Sequence, residues 1–189
     1  MMNFTPETIF RKLTTDAAIA LHELPREHGI YALHDHNGSI RYIGITRFDR
    51  NGLWGRIHGR HVCGSESRSH KFSHAYNTGR MWRAKEDRCS DAVLAKRLRT
   101  VFIRRNCRAT FVSVPGALHN QLPHLELQVQ ALAPSEMLEW AAKRGFLPLR
   151  EPTALVDATL DDLGFSVEQR SAIERQAALH ASFDPSTSR

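Results

Sequence analysis

The dipeptide Asn37-Gly38 constrains the fold of this chain more than any other sequence feature. It separates two strand-like runs, Ile30 to His36 and Ser39 to Ile45. Asn-Gly between two such runs is the strongest short-range indication of a β-hairpin with a two-residue type I′ turn. In that hairpin the position numbers of opposed residues sum to 75, so the turn predicts the pairing of both strands.

This pairing divides the hairpin into two faces. The predicted core face carries four apolar residues, Ile30, Ala32, Ile43 and Ile45. The opposite face carries Tyr31, Tyr42 and Gly44, with Tyr31 opposite Gly44 and the two tyrosines as diagonal neighbours. Because glycine has no side chain, we expect open space beside the Tyr31 ring, and hence a shallow polar platform.

Apolar spacing and capping residues predict the remaining elements. A helix is expected over residues 1–24, starting at Thr5-Pro6 and stopped by Pro25. Further helices are predicted at about 53–61, 90–105, 121–133, 135–144, 153–163 and 167–182, and a third strand at 110–114. The predicted fold class is α/β of the α+β type: a small three-stranded antiparallel sheet flanked by helices, with an N-terminal helix and a C-terminal helical pair.

Charge is distributed unevenly over the 189 residues, whose formal net charge is +6. Residues 41–108 contain 17 Lys and Arg but 5 Asp and Glu, whereas residues 151–189 contain 3 and 7. The basic stretch is typical of a protein that binds a polyphosphate backbone, and the alternative is a solvated basic surface without a partner. We therefore divide the chain into an N-terminal helix (1–25), a central module (26–150) and an acidic helical extension (151–189). The extension is expected to pack on the module or to mediate self-association.

Several protein classes are excluded by the sequence. No apolar stretch approaches the ~20 residues that a transmembrane helix needs, and no signal peptide is recognisable, so we expect a soluble, cytoplasmic protein with no membrane partner. Cys63, Cys89 and Cys107 are odd in number and form no CxxC pair. This argues for reduced thiols rather than for a disulfide framework.

The two strands of the predicted hairpin carry Gly29-Ile30-Tyr31 and Tyr42-Ile43-Gly44. This pair of tripeptides resembles the signature of the GIY-YIG nuclease family, and would arise by chance in fewer than about one chain in ten thousand at average composition. The resemblance covers about 28–134, in the order hairpin, helices, third strand and acidic helix. It implies an arginine on the first helix after the second tripeptide, which is Arg56 here. It also implies a metal-binding glutamate on a later helix, and Glu126 has that position.

The resemblance implies a metal-dependent endonuclease that hydrolyses phosphodiester bonds of DNA, with RNA left open as a substrate. Tyr31 would be the general base, and Arg56 would bind the phosphate and lower the pKa of Tyr31. Tyr42 would hydrogen-bond to the phosphate, to the attacking water or to Tyr31. Glu126 would hold Mg²⁺, or Mn²⁺ in its place, because a single carboxylate with substrate phosphate suits such an ion.

The remaining candidate residues follow less directly from the resemblance. Restriction-enzyme members often place a histidine one turn after the arginine, where this chain has Arg60, so His61 beside it is the catalytic candidate and His58 an alternative. The predicted substrate-binding residues are Gly44, Arg47, Arg60, Lys71 and His74. The asparagine that many members carry after a proline is missing after Pro134, which leaves Asn77 or Asn120 for that role.

Two other functions are compatible with the sequence. The first is a nucleic-acid-binding module of the same fold without turnover. The second is a zinc-organised interaction protein, because five potential ligands lie within 17 residues: His58, His61, Cys63, His70 and His74. A homodimer is compatible with an enzyme that cuts both strands, since two copies would supply two active sites.

Overall fold

The computed structural model describes residues 4–46, 50–142 and 145–183. The α-helices are α1 (Pro6–Thr15), α2 (Gly52–Trp54), α3 (Lys71–Ala75), α4 (Ser90–Asn106), α5 (Leu122–Leu132), α6 (Thr153–Leu163) and α7 (Val167–Phe183). A π-helix spans Gly55–Val62, and 3₁₀ turns span Gly79–Met81, Gly116–Gln121 and Ser135–Ala141. Within the described ranges no helix is both long enough and apolar enough to cross a membrane.

The protein is an α+β protein built on an antiparallel sheet of four strands. They are β1 (Ile19–Ala20), β2 (Gly29–His34), β3 (Ile40–Ile45) and β4 (Arg108–Ser113), in the order β1-β4-β2-β3. The prediction of three strands is therefore wrong by one short strand. β1 lies inside the predicted N-terminal helix, which ends at Thr15, and it pairs through Ile19 with Ala109. A strand of two residues is too short to produce a readable alternation of polar and apolar residues.

The predicted hairpin register is confirmed along most of its length. Ile30 pairs with Ile45, Tyr31 with Gly44, Ala32 with Ile43 and Leu33 with Tyr42, so the position numbers sum to 75 in each pair. Near the turn the register shifts, because His34 pairs with Ile40. Because opposed residues share a face, this pairing places Tyr31 and Tyr42 on the face opposite the apolar one, as predicted.

The turn itself differs from the predicted type I′ turn. A type I′ turn needs a positive φ at both central residues, and only Gly38 (φ 80°) has one. Instead, Asp35 N–H donates to Ser39 C=O, and Gly38 N–H donates to Asp35 C=O. The Asp35 carboxylate accepts from the backbone N–H groups of Asn37 and Ser39. These bonds stabilise a longer turn, and the bulge after it restores the predicted register.

The core of the sheet unit lies where the hydrophobic pattern predicts it. The apolar hairpin face packs with α1, α5 and β4, and the buried cluster contains Ile9, Leu13, Ile30, Ala32, Ile43, Ile45, Val112, Val114, Leu122, Leu125 and Val129. α1 is capped as the sequence predicts, with the Thr5 hydroxyl accepting from Thr8 N–H and Pro6 in the first turn. The last predicted helix before the acidic extension is a 3₁₀ segment, Ser135–Ala141, which buries only Trp140.

The chain forms two compact units that interleave along the sequence. The first contains Met1–Arg60 and Asn106–Phe146, and the second contains His61–Arg105 and Leu147–Arg189. The sheet and both tyrosines of the hairpin belong to the first unit. The division of the chain at residues 25 and 150 stays a prediction.

In the second unit, the C-terminal helices are ion-paired to the basic stretch. Arg80 Nε lies 2.6 Å from Glu151 Oε1, and Arg80 Nη1 lies 2.6 Å from Asp157 Oδ1. Arg105 is paired with Asp162. These acidic residues neutralise arginines that contribute to the predicted nucleic-acid footprint. The acidic extension was expected either to pack on the module or to mediate self-association. Its ion pairs show that it packs against residues of the module within this unit. Self-association stays a prediction.

A buried polar cluster organises the rest of the second unit. Glu66 accepts from Arg83 Nε at 2.5 Å and also from Arg99, whose side chain is fully buried. Asn77 accepts from the backbone N–H of Arg83 and from the Arg99 guanidinium. Asn77 therefore has a role in packing this unit, and a role in catalysis stays a prediction.

Candidate active site

Tyr31 and Tyr42 meet on the hairpin face opposite the core. Their ring centroids are 6.1 Å apart, with the rings tilted by 48°. Tyr31 is completely buried, and a Cβ at Gly44 would lie 2.4 Å from the Tyr42 ring. The Tyr42 ring therefore fills the space above Gly44, and the predicted open space and shallow platform are wrong. A substrate contact at Gly44 stays a prediction.

Arg56 is positioned by an unusual helical start. Gly52 has φ 54°, and a Cβ there would lie 2.1 Å from the Glu27 carbonyl oxygen, so a glycine is needed at this close approach. Leu53 N–H donates to that same carbonyl at 2.8 Å, which docks the helical turn onto the segment just before β2. The π-helix begins at Gly55, and its eight residues include Arg56. π-Helical segments are rare and are frequent at functional sites.

The Arg56 side chain is hydrogen-bonded to the Tyr31 hydroxyl. Leu53 and Ile57, on either side of Arg56 in the sequence, are fully buried as predicted. Burial of these two neighbours fixes the helix within the first unit, so the Arg56 guanidinium is held beside the Tyr31 phenol. The structure thus brings the two predicted residues together, and their catalytic roles stay predictions.

Glu126 lies on α5 and acts electrostatically on the same phenol. Its negative charge raises the pKa of Tyr31, and this effect is smaller than those of burial, Tyr42 and Arg56. Gln130, one turn later, donates to the Ile43 carbonyl at 2.8 Å and to Glu126 Oε1 at 3.4 Å. Gln130 therefore ties the carboxylate of α5 to the strand that also carries Tyr42.

Burial controls the protonation state of Tyr31. It raises the pKa of the phenol well above the ordinary value of 10, and the neighbouring Tyr42 adds to this effect. The charge and the hydrogen bond of Arg56 lower the pKa but do not outweigh burial. Arg56 thus lowers the pKa of Tyr31 as expected, but the pKa stays raised because the cost of burying a phenolate is larger. Tyr31 is a neutral phenol at pH 7.

The other predicted site residues of the first unit lie around the π-helix. Arg60 is exposed, and His58 stacks on the Trp54 indole with ring centroids 4.7 Å apart. Arg26 lies over the same indole, with its guanidinium carbon 5.7 Å from the ring centroid. Arg47 lies outside the described residues. Substrate contacts of Arg47 and Arg60 stay predictions.

His61, Lys71 and His74 belong to the second unit. The buried His61 ring accepts from the backbone N–H of Lys71 through Nδ1 at 3.1 Å. His74 Nδ1 donates to the Glu66 carbonyl at 2.9 Å. Both rings thus contribute hydrogen bonds to the packing of this unit. Catalysis by His61 and substrate binding by Lys71 and His74 stay predictions.

Metal-ligating side chains do not cluster into a metal site in the part of the chain that the structure describes. Residues 4–46, 50–142 and 145–183 contain no group of three or more His, Cys, Asp or Glu side chains placed to hold one metal ion. A complete protein-supplied zinc site of the predicted kind is therefore not found among these residues. Glu126, whose charge acts on Tyr31, is the carboxylate that the sequence predicts as a metal ligand. One carboxylate fits a hard ion such as Mg²⁺ that takes its remaining ligands from water and a substrate phosphate.

Gln130 is the site residue that sequence reasoning missed. It follows Glu126 by four positions on a helix, the spacing at which a glutamine and an acidic side chain can hydrogen-bond. That spacing was a readable indication of a positioning role. The bond to the Ile43 carbonyl joins residues 87 positions apart, and no local pattern predicts it.

Comparison with known proteins identifies no relative of this chain. No protein-family model matches the chain, and neither a curated protein nor a solved structure matches it. Functional inference therefore depends on the residues and geometry described above.

Proposed function

We propose that this protein is a metal-dependent endonuclease that hydrolyses phosphodiester bonds of DNA, with a GIY-YIG-like catalytic module in the first unit. One observation carries the proposal: the Arg56 side chain is hydrogen-bonded to the buried Tyr31, within electrostatic range of Glu126. These residues come from a strand, the π-helix and α5, which are distant in sequence. An arginine, a phenol and a carboxylate can supply the phosphate contact, the base and the metal ligand of such a hydrolysis.

Arg56 supplies the positive charge in the proposed reaction. Its planar guanidinium can bind two oxygens of a phosphodiester, which orients the phosphorus and stabilises the charge that develops on the non-bridging oxygens. The exposed Arg60, on the same π-helix, is proposed to contact the backbone of the substrate next to the scissile phosphate. Arg47 is proposed for a similar contact.

Tyr31 is the proposed general base. Because the phenol is neutral at pH 7, the proton of the attacking water is accepted by the small phenolate fraction that Arg56 stabilises. Tyr42, whose ring contacts Tyr31, is proposed to hydrogen-bond to the phosphate or to the attacking water. This assignment predicts a rate that increases as the pH rises.

Glu126 is the proposed ligand of the divalent ion. The fit depends on its being a single, half-buried carboxylate, which suits Mg²⁺ or Mn²⁺ bound jointly with substrate phosphate. When bound, such an ion neutralises charge on the leaving oxygen. Gln130 would keep the carboxylate oriented through its bond to Glu126 Oε1.

A nucleic-acid-binding module without turnover is the second candidate. The raised pKa of Tyr31 favours it, because a buried neutral phenol is a poor base at pH 7. The two candidates share the phosphate contact of Arg56 and differ in the need for Tyr31. Substitution of Tyr31 therefore separates them.

The test compares plasmid cleavage by the wild type with that by Tyr31→Phe and Arg56→Gln, each with Mg²⁺ and with EDTA. A nuclease of this kind cuts only with Mg²⁺, and both variants lose at least about a hundredfold in rate, as expected for loss of a base or of a charge-stabilising group. A folded wild type that cuts no DNA with either Mg²⁺ or Mn²⁺, yet binds it at low salt, would establish the binding module instead. Circular dichroism of each variant controls for folding.

A further inference from the structure

The second unit contains a cavity of about 340 Å³ beside the buried Glu66 cluster. The side chains that matter among its lining residues are Cys63, Ser65, Arg83, Glu86, Arg88 and Lys96. A volume of this size is at the lower end of the range of small-molecule sites. None of these residues is used in the proposed nuclease chemistry.

The lining of this cavity carries more positive than negative charge. Arg83, Arg88 and Lys96 are cationic, whereas Glu86 is the carboxylate among the described residues that line it. In the part of the chain that the structure describes, neither the Lys96 ammonium nor the Arg88 guanidinium makes an ion pair or a hydrogen bond. Both cations are therefore available to an anionic ligand.

The wall formed by Arg83 is rigid and buried. Arg83 is only 7% exposed, its Nε lies 2.5 Å from Glu66 Oε1, and its Nη1 donates to the Asp87 carbonyl at 2.9 Å. Glu66 also pairs with Arg99, so one carboxylate serves two guanidinium groups. The cluster behind the cavity thus keeps an excess of one positive charge.

Lys96 experiences this excess charge directly. Burial lowers the pKa of its ammonium, and the charges of Arg83 and Arg99 lower it further, against the raising effect of Glu66. A half-buried cation whose charged form is disfavoured by its surroundings gains stability when an anion is placed beside it. The ligand that complements the cavity is therefore an anion.

We propose that this cavity is a phosphate-binding site, in which Lys96 and Arg88 bind the phosphate oxygens and the rigid Arg83 provides the positive wall. Arginine and lysine together are the usual side chains of phosphate recognition, and the Ser65 hydroxyl at the rim is a further hydrogen-bonding group. A cavity of about 340 Å³ is larger than one phosphate ion, so it has room for part of the group that the phosphate esterifies. The site stands independently of the proposed nuclease.

The first test is calorimetric titration of the full chain with inorganic phosphate in EDTA, so that cleavage cannot contribute. The variants are Lys96→Gln and Arg88→Gln, with Lys85→Gln as the matched control, because Lys85 is exposed in the same unit and does not line the cavity. We expect saturable binding by the wild type, a loss of at least about tenfold in affinity in each of the two cavity variants, and a change below about twofold in the control.

The second test locates the ligand by the reactivity of Cys63, which lines the cavity. Cys89 is exposed and Cys107 is buried, so a Cys89→Ser variant leaves Cys63 as the accessible thiol. Phosphate is expected to slow alkylation of Cys63 with the same concentration dependence as the calorimetric binding. Because Arg88 is exposed, Arg88→Gln keeps the proposal testable even if Lys96→Gln fails to fold.

A short single-stranded oligonucleotide in the same assay distinguishes the sources of the phosphate. Displacement of phosphate by the oligonucleotide identifies a nucleic-acid backbone, and failure to displace it identifies a small phosphorylated molecule; both results support the site. The proposal is overturned by the absence of saturable binding up to about 10 mM phosphate, by equal losses in the Lys85→Gln control, or by alkylation of Cys63 that phosphate does not slow.

Discussion

Arg56 is hydrogen-bonded to Tyr31, and yet the pKa of Tyr31 lies well above 10. Burial of the phenol is the larger effect, and the charge of Arg56 offsets only part of it. The pKa of Tyr31 therefore depends on both burial and Arg56, and this pKa determines how the rate of the proposed reaction changes with pH.

If Tyr31 is the base, the cleavage rate should rise about tenfold per pH unit between about pH 6.5 and 9. The reason is that the active phenolate is a minor species below its pKa, and its fraction grows tenfold with each unit. The measurement is a single-turnover pH–rate profile of the wild type with Mg²⁺. A profile that is flat or falls over this range would remove Tyr31 from the role of base.

Glu66 should control the acid stability of the protein. Burial raises the pKa of this carboxyl, but the hydrogen bond from Arg83 and the charge of Arg99 lower it to about 2, against an ordinary value of 4.5. A depressed pKa in the folded state contributes stability that is present above about pH 4.5 and is lost as the pH falls towards about 2, and its size is on the order of 3 kcal/mol.

Replacement of Glu66 by Gln should therefore lower the free energy of unfolding at pH 7 by about 3 to 5 kcal/mol, since two buried guanidinium groups lose their carboxylate. It should also flatten the decline in stability between pH 4.5 and 2. Urea unfolding at several pH values measures both effects, with Glu136→Gln at an exposed position as the control. An unchanged acid limb in Glu66→Gln would show that other carboxylates cause the decline.

Gln130 should stabilise the connection between α5 and β3. Loss of its bonds to the Ile43 carbonyl and to Glu126 in Gln130→Ala is expected to cost about 1 kcal/mol. Gln128→Ala, on an exposed position of the same helix, should change stability by less than about 0.5 kcal/mol. Denaturant unfolding of both variants is the measurement, and equal effects would contradict a specific role for Gln130.

The hairpin turn provides a test of backbone conformation alone. Gly38 has φ 80° and open space around its Cα, so Gly38→Ala should destabilise the protein by about 1 kcal/mol through backbone strain. Gly116 has similar open space without a positive φ, which makes Gly116→Ala the matched control. Thermal unfolding should show a loss in the first variant and none in the second; the reverse order would refute the conformational argument.

The sequence predicted what depends on local pattern. The hairpin register placed Tyr31 opposite Gly44 and beside Tyr42, because strand residues alternate and the turn fixes their pairing. The sequence likewise predicted α6 over 153–163, and Gly164 caps the end of this helix in the left-handed conformation. The prediction of a type I′ turn was wrong because the Asp35 carboxylate stabilises a longer loop.

The features that sequence reasoning missed depend on distant residues. The short strand β1 exists only through its pairing with β4, and the ion pair of Arg80 with Glu151 joins segments 71 positions apart. The protonation state of Tyr31 depends on how completely the fold buries it, which the pattern of the hairpin alone does not specify. The spacing of residues in the sequence was enough to nominate the site residues. Their pKa values depend on how the fold packs around them.

The most direct test of the nuclease proposal is plasmid cleavage by Glu126→Gln and by Glu136→Gln under Mg²⁺. The first variant removes the proposed metal ligand, and the second makes the same change at an exposed position outside the site. We predict that Glu126→Gln loses at least about a hundredfold in cleavage rate while still binding DNA, and that Glu136→Gln cuts at the wild-type rate. Cleavage by Glu126→Gln at the wild-type rate, or an inactive but folded wild type, would contradict the proposal.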